Sequence, residues 1–180
     1  MGRQAALGHA VLLALAALLV VWAAPAGGAT PEAEVKAAYL YKLASFVRWP
    51  DEGTFGGAFK ICVAGRSDVA GVLVQLVRGQ QVAGRPIAVE QLSSAQADRA
   101  RNCQVLFVGR GAAAARALLS AARGQPVLTV GDRNNGIRGG VVDFLLRDGR
   151  VRLAIDRGAA DGQHLELSSK LLDVAVTVAP

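Results

Sequence analysis

The spacing of apolar and polar positions changes along the chain, and the changes mark out its elements. Between residues 34 and 49 apolar side chains recur at helical spacing, at Val35, Tyr39, Leu43 and Phe46-Val47, while Lys36, Lys42 and Arg48 fall off that face. This predicts an amphipathic helix that ends near Trp49, because Pro50 disfavours helical geometry in the residue before it. The pattern then shortens to apolar, β-branched runs that stop at glycine or a polar turn. FKICVAG (59–65), PIAVEQL (86–92), CQVLFVG (103–109) and PVLTVGD (126–132) read as strands. Between them lie helix-like stretches: DVAGVLVQLVRG, with Ser67 placed as its N-cap, a short one over 94–101, and the alanine-rich AAAARALLSAAR. Strand followed by helix, three times over, predicts right-handed crossovers and a parallel sheet covered on both faces. Residues 141–156 break the alternation with two strand-like runs around Asp148-Gly149, a hairpin signal. Over 165–178 the apolar positions Leu167, Leu171, Leu172, Val174, Ala175 and Val178 predict a last packed helix. The expected fold is α/β: a Rossmann-like three-layer sandwich with a mostly parallel sheet, a C-terminal antiparallel hairpin and a final helix.

The first 29 residues change where this domain works. Arg3 precedes an uncharged apolar stretch from about Ala10 to Ala24, followed by small residues through Ala29. That is the layout of a cleaved secretory signal peptide, and the stretch is short for a membrane span of about 20 residues. No cysteine marks a lipid-anchored start at the cleavage point. Residues 30–180 are then one soluble exported domain, with no linker or internal repeat. Losing Arg3 takes the net charge from +6 to about +5. The arginines are scattered, few aromatics remain, and nucleic-acid binding is not expected.

Export also changes how Cys62 and Cys103 are read. An even pair in an oxidising compartment reads as a disulfide before it reads as a metal or redox site. If their strands are neighbours, however, Cys62 falls mid-strand and Cys103 at a strand start, an offset that could exceed the roughly 7 Å Cα limit for a bridge.

Catalytic chemistry is hard to assemble from what remains. Gly109, Gly111 and Ala114 satisfy G-x-G-x-x-A between a strand and a helix, and Asp132 follows where a ribose-binding acid would stand. The motif falls in the third βα unit, not the first, so a tight turn with close helix packing is the preferred reading. Gly65-Arg66-Ser67 sits where a nucleophile elbow would, but Val69 replaces the glycine the elbow needs. His164 is the one histidine after the leader, too few for a zinc site with two cysteines. The acid pairs Glu32/Glu34 and Asp51-Glu52 flank the first helix as surface groups. No cofactor, metal or catalytic residue is expected, and the composition suits a binding or regulatory role.

Several segments taken in order resemble the YfiR family of periplasmic regulators: KAAYLYKLASFVRWP, FKICVAGRSDVAG, CQVLFVG, GGVVDFLLRDGRVRLAID and LELSSKLLDVA. The resemblance covers residues 30–180. It implies a non-enzymatic protein that works in the periplasm, dimerises and represses an inner-membrane diguanylate cyclase of the YfiN type, lowering cyclic-di-GMP and biofilm formation. It also implies an outer-membrane lipoprotein that relieves repression. The hairpin's second strand departs from the family's usual F-E-I-N, reading Leu153-Ala154-Ile155-Asp156, and the second cysteine pair of some members is missing. Candidate partner contacts are Arg48, Trp49 and Pro50 with Leu165 and Leu167; Trp49 is equally at home in a core or an interface. The alternative is a small-ligand binder using the strand C-terminal edge, where Gly65, Gly109 and Gly131 end three strands.

Overall fold

The computed structural model describes residues 29–50, 56–65, 68–112 and 114–180. Residues 1–28 of the expected signal peptide, the Asp51-Glu52 pair and Ser67, the expected helix cap, lie outside them. Thr30 caps the first helix: its hydroxyl accepts the Ala33 amide at 3.2 Å. Pro31 follows at the first helical position, where no amide is left unpaired, and Glu32 and Glu34 face the positive end of the helix dipole.

That helix, α1 (Pro31–Leu43), leads into β1 (Val47–Arg48). Next come β2 (Phe59–Ala64), α2 (Val69–Leu76), β3 (Gln81–Val82), β4 (Arg85–Leu92) and a 3-10 helix (Ser94–Asn102). Then β5 (Val105–Val108), α3 (Ala115–Ala121), β6 (Leu128–Asp132), a 3-10 turn (Arg133–Asn135), β7 (Val142–Arg147) and β8 (Arg150–Asp156). The chain closes with α4 (Arg157–Gly162), β9 (Glu166–Leu167), α5 (Ser169–Asp173) and β10 (Thr177–Ala179).

The main sheet has eight strands in the order β10-β8-β7-β6-β5-β2-β4-β3. Strands β4, β2, β5, β6 and β7 run parallel; taken in chain order from β2 they lie second, first, third, fourth, fifth, the flavodoxin-like arrangement. The predicted hairpin is present, β7 against β8 with Arg147 opposite Arg150. Along β2 the alternate residues Phe59, Ile61 and Val63 join the core beneath α1 and α2, while Cys62 and Ala64 join a second core beneath the 3-10 helix and α3. The domain therefore has helices on both faces of one sheet.

Two predicted helices change. The first stops at Leu43 rather than near Trp49. Val47 and Arg48 pair instead with Leu167 and Glu166 of β9, and this alternation buries Val47 and Trp49. Strand pairing and burial outweigh the helical spacing. The predicted final helix over 165–178 is replaced by β9, the short α5 and β10. Val174, Val176, Thr177 and Val178 are β-branched, and β10 finds a ladder along β8, with Thr177 opposite Ala154 and the Val176 amide on the Leu153 carbonyl.

The cysteines are bridged, with Cα atoms 5.9 Å apart. The expected strand offset is real, since Leu106 stands opposite Cys62 and Cys103 precedes β5. Cys103 caps the 3-10 helix, which packs on the face to which Cys62 points. The bridge therefore joins the helical layer to the sheet, not one strand to the next.

Candidate functional site

A doubly wound sheet places its crevice beyond the carboxyl ends of the strands, where the strand order reverses. Here a crevice of about 350 Å³ lies at that edge, with Asp132 at the end of β6, Asp68 before α2, Arg110 after β5, and Lys36 and Glu32 from α1. Lys36 is 3% exposed and Asp132 2%. The Lys36 ammonium donates to Asp132 Oδ2 at 2.7 Å and to Glu32, which is more exposed. Asn135 Nδ2 donates to the same Asp132 oxygen at 2.6 Å. Asp132 Oδ1 is buried and accepts no hydrogen bond among the described residues.

This arrangement decides the dinucleotide motif. Asp132 is held by Lys36 and Asn135, not presented to a ribose. Gly109 donates its amide to the Ala64 carbonyl at 2.8 Å, tying the end of β5 to β2; Ala114 only precedes α3. Gly65 has φ +97°, and a Cβ there would stand 2.7 Å from the Gly109 and Arg110 carbonyls. At Gly131 the Asp143 carboxylate fills the space of a side chain. These glycines serve close packing of the strand ends. His164 sits exposed in a left-handed turn after α4, its backbone amide on the Asp161 carbonyl.

The candidate partner contacts divide. Trp49 is 3% exposed and stacks edge-on against Phe59 with ring centroids 5.3 Å apart, and Leu165 is buried as well. Both belong to the core in this structure. Arg48 and Pro50 are exposed and Leu167 is half-buried. They cluster at the β1–β9 ribbon, where Arg48 pairs with Glu166 at 2.9 Å; both side chains are largely in water, so the pair stabilises little.

Beside this ribbon lies a feature the helical pattern half revealed. The α1 face that enters the core carries Ala33, Lys36, Ala37, Leu40 and Leu43. The stripe read from the sequence as the buried face, Val35, Tyr39 and Phe46, lies to its side, and with Leu43 it lines an open apolar groove of about 530 Å³. Leu153 and, from α5, Leu171 and Val174 complete the lining. Helix α1 thus has two apolar stripes; the second is only partly covered, with Tyr39 and Phe46 half-buried against the core and Val35 exposed. The second was legible as hydrophobic spacing; Lys36 in the core was not, because its partner Asp132 is far away in sequence.

The YfiR/HmsC-like family model matches residues 33–176 of this sequence. No curated protein matches it. Among solved structures, a conserved domain protein from Vibrio cholerae O1 biovar El Tor superposes with a TM-score of 0.52 at 13% identity, over 81% of this chain and 60% of that one. At that identity the likeness is one of fold, and this chain spans about 60% of the solved chain's length.

Proposed function

The chain belongs to the YfiR/HmsC-like family, and from that membership we propose that it is a periplasmic repressor of a membrane-anchored diguanylate cyclase of the YfiN type. Binding the cyclase's periplasmic region holds it inactive, which lowers cyclic-di-GMP and biofilm formation. The observation that carries the reading is the placement of exposed apolar surface. Of the seven large hydrophobic side chains that stand exposed among the described residues, Val35 and Val174 line the α1 groove, and Val176 and Val178 stand at the adjoining β10 strand beside β8. Apolar surface gathered in one place marks an interaction site. The buried disulfide suits an oxidising compartment. Arg48, Pro50 and Leu167 extend the contact surface, and Trp49 and Leu165 hold the ribbon that carries them. A second copy of the chain and an outer-membrane lipoprotein that relieves repression complete the partners this reading includes. Deleting the gene is expected to raise cellular cyclic-di-GMP, and supplying it in trans to restore the lower level. An unchanged cyclic-di-GMP level in the deletion strain would sink the reading.

A second function, small-ligand binding, is favoured by the crevice at the sheet edge, where charged and amide side chains converge on a space of about 350 Å³. A ligand present at a hundred times its Kd adds about 2.7 kcal/mol of stability. A thermal-shift screen of nucleotides and amino acids is therefore expected to yield at least one compound that raises Tm by several degrees. A flat screen would remove this second function.

A further inference from the structure

The groove on α1 has a shape and a charge that restrict what fills it. Its α1 wall is built from Val35, Tyr39 and Lys42, positions one turn apart along a single stripe, and Phe46 extends it just past the helix end. From Val35 to Leu43 that wall runs about 12 Å, or two helical turns. Val35 is 42% exposed and Val174, on the opposite wall, 60%. The apolar surface then continues along the sheet. Val178 stands beside Ile155 in the β10–β8 ladder, so it shares the face of Leu153, which floors the groove, and Val176 falls on that face by strand alternation. Val176 and Val178 thus extend the apolar surface at the β10 edge of the sheet, while the groove itself lies between helices α1 and α5, a shape that suits a rod laid across side chains.

The charge is one-sided. Both ionisable groups that line the groove beside its tyrosine are lysines, Lys42 and Lys170. Neither forms an ion pair among the described residues, and Lys42 lies with its ammonium 5.5 Å from the Tyr41 ring. No carboxylate lines this groove, whereas three line the crevice at the sheet edge.

We propose that the groove receives an amphipathic helix of the membrane partner, about two turns of which present an apolar ridge flanked by acidic side chains. The ridge fills the space between α1 and α5, and the acids meet Lys42 and Lys170. The proposal rests on the repressor reading for the source of the helix; the charge and shape of the site rest on the groove alone. It also gives a partly covered stripe on α1 a use that the domain's own core does not.

Two synthetic helical peptides test it, identical in their leucine stripe but flanked in one by glutamates and in the other by lysines. Fluorescence anisotropy on the full mature protein is expected to show the glutamate peptide binding at least about tenfold more tightly, with a preference that weakens in salt. The Lys42→Glu/Lys170→Glu variant reverses the preference. Val174→Asp, at a position exposed enough to leave folding intact, weakens the glutamate peptide about tenfold with an unchanged melting curve. Equal binding of the two peptides, or indifference to Val174→Asp, overturns the proposal. Light scattering adds a separate outcome: a dimer that Val174→Asp converts to monomer assigns the groove to a second copy and overturns it too. In a deletion strain with raised cyclic-di-GMP, the wild-type gene should restore repression and the Val174→Asp gene should not. Equal rescue by both overturns the groove while leaving the repressor reading standing. A deletion without effect on cyclic-di-GMP defeats that reading and the assignment of the helix to a cyclase, and the peptides still decide what the groove selects.

Discussion

Replacing Lys36 by methionine is expected to cost about 3–5 kcal/mol of folding stability, a large share of what holds a domain of this size together. The substitution keeps most of the side chain's length and its place among Ala33, Ala37 and Leu40, so little of the loss comes from packing. What it removes is the cation 2.7 Å from Asp132 Oδ2. Among the described residues, the Asp132 carboxylate then stays buried with only the Asn135 amide on that oxygen and no bond to the other. An unpaired buried charge is the costly outcome, whereas replacing both partners is often neutral. The double variant Lys36→Met/Asp132→Leu is therefore expected to recover most of the loss. Glu32→Gln, which touches the exposed member of the cluster, should cost less than about 1 kcal/mol. Urea denaturation of the wild type, Lys36→Met, Asp132→Leu and the double variant measures the cycle, with Glu32→Gln as a fifth protein beside it. A loss below about 1 kcal/mol for Lys36→Met would show that the ion pair does not hold α1 to the sheet edge.

The same pair explains how the sequence could be read well in its middle and poorly at its ends. The central strands β2, β5 and β6 were visible because each is a short apolar run buried almost throughout on both faces and closed by a glycine or a turn, so local composition and tertiary position agree. Val105–Val108 and Leu128–Asp132 fall inside the segments predicted for them. The ends fail because their structure is set by partners remote in sequence. Val47 and Arg48 look helical until β9 is brought beside them, and Thr177 looks helical until β8 offers its ladder. The face of α1 fails for a related reason. A helix with two apolar stripes shows a pattern that identifies neither as the buried one, and the buried small residues Ala33 and Ala37 carry less apolar surface than Val35 and Tyr39. Where the pattern called for burial and the fold supplied it only in part, leaving Val35 exposed and Tyr39 and Phe46 half-buried, the groove remains. At the candidate contacts, Trp49 could be named as important from its chemistry, but only Phe59 beside it makes it core.

Loss of the disulfide is the second large effect, expected at about 2–4 kcal/mol. Cys62 and Cys103 are 41 residues apart, a loop that in the chain-entropy account is worth about 4 kcal/mol before any offsetting change in the native state. The bridge ties the end of the 3-10 helix to a central strand, so its removal also loosens the second core, where Leu106, Val108 and Leu118 pack with both cysteines. Alanine at both positions keeps the layer apolar and isolates the cross-link. A free cysteine left by a single substitution would add exchange chemistry. Both residues are buried, Cys62 fully, so reductant alone should act slowly and reductant with denaturant quickly. Intact mass then shows a gain of two hydrogens only when the protein is reduced while unfolded. The Cys62→Ala/Cys103→Ala protein should unfold at lower denaturant with a larger m-value, because its unfolded chain is less compact. A midpoint unchanged from the bridged protein would mean that the packing of the second core carries the contact unaided.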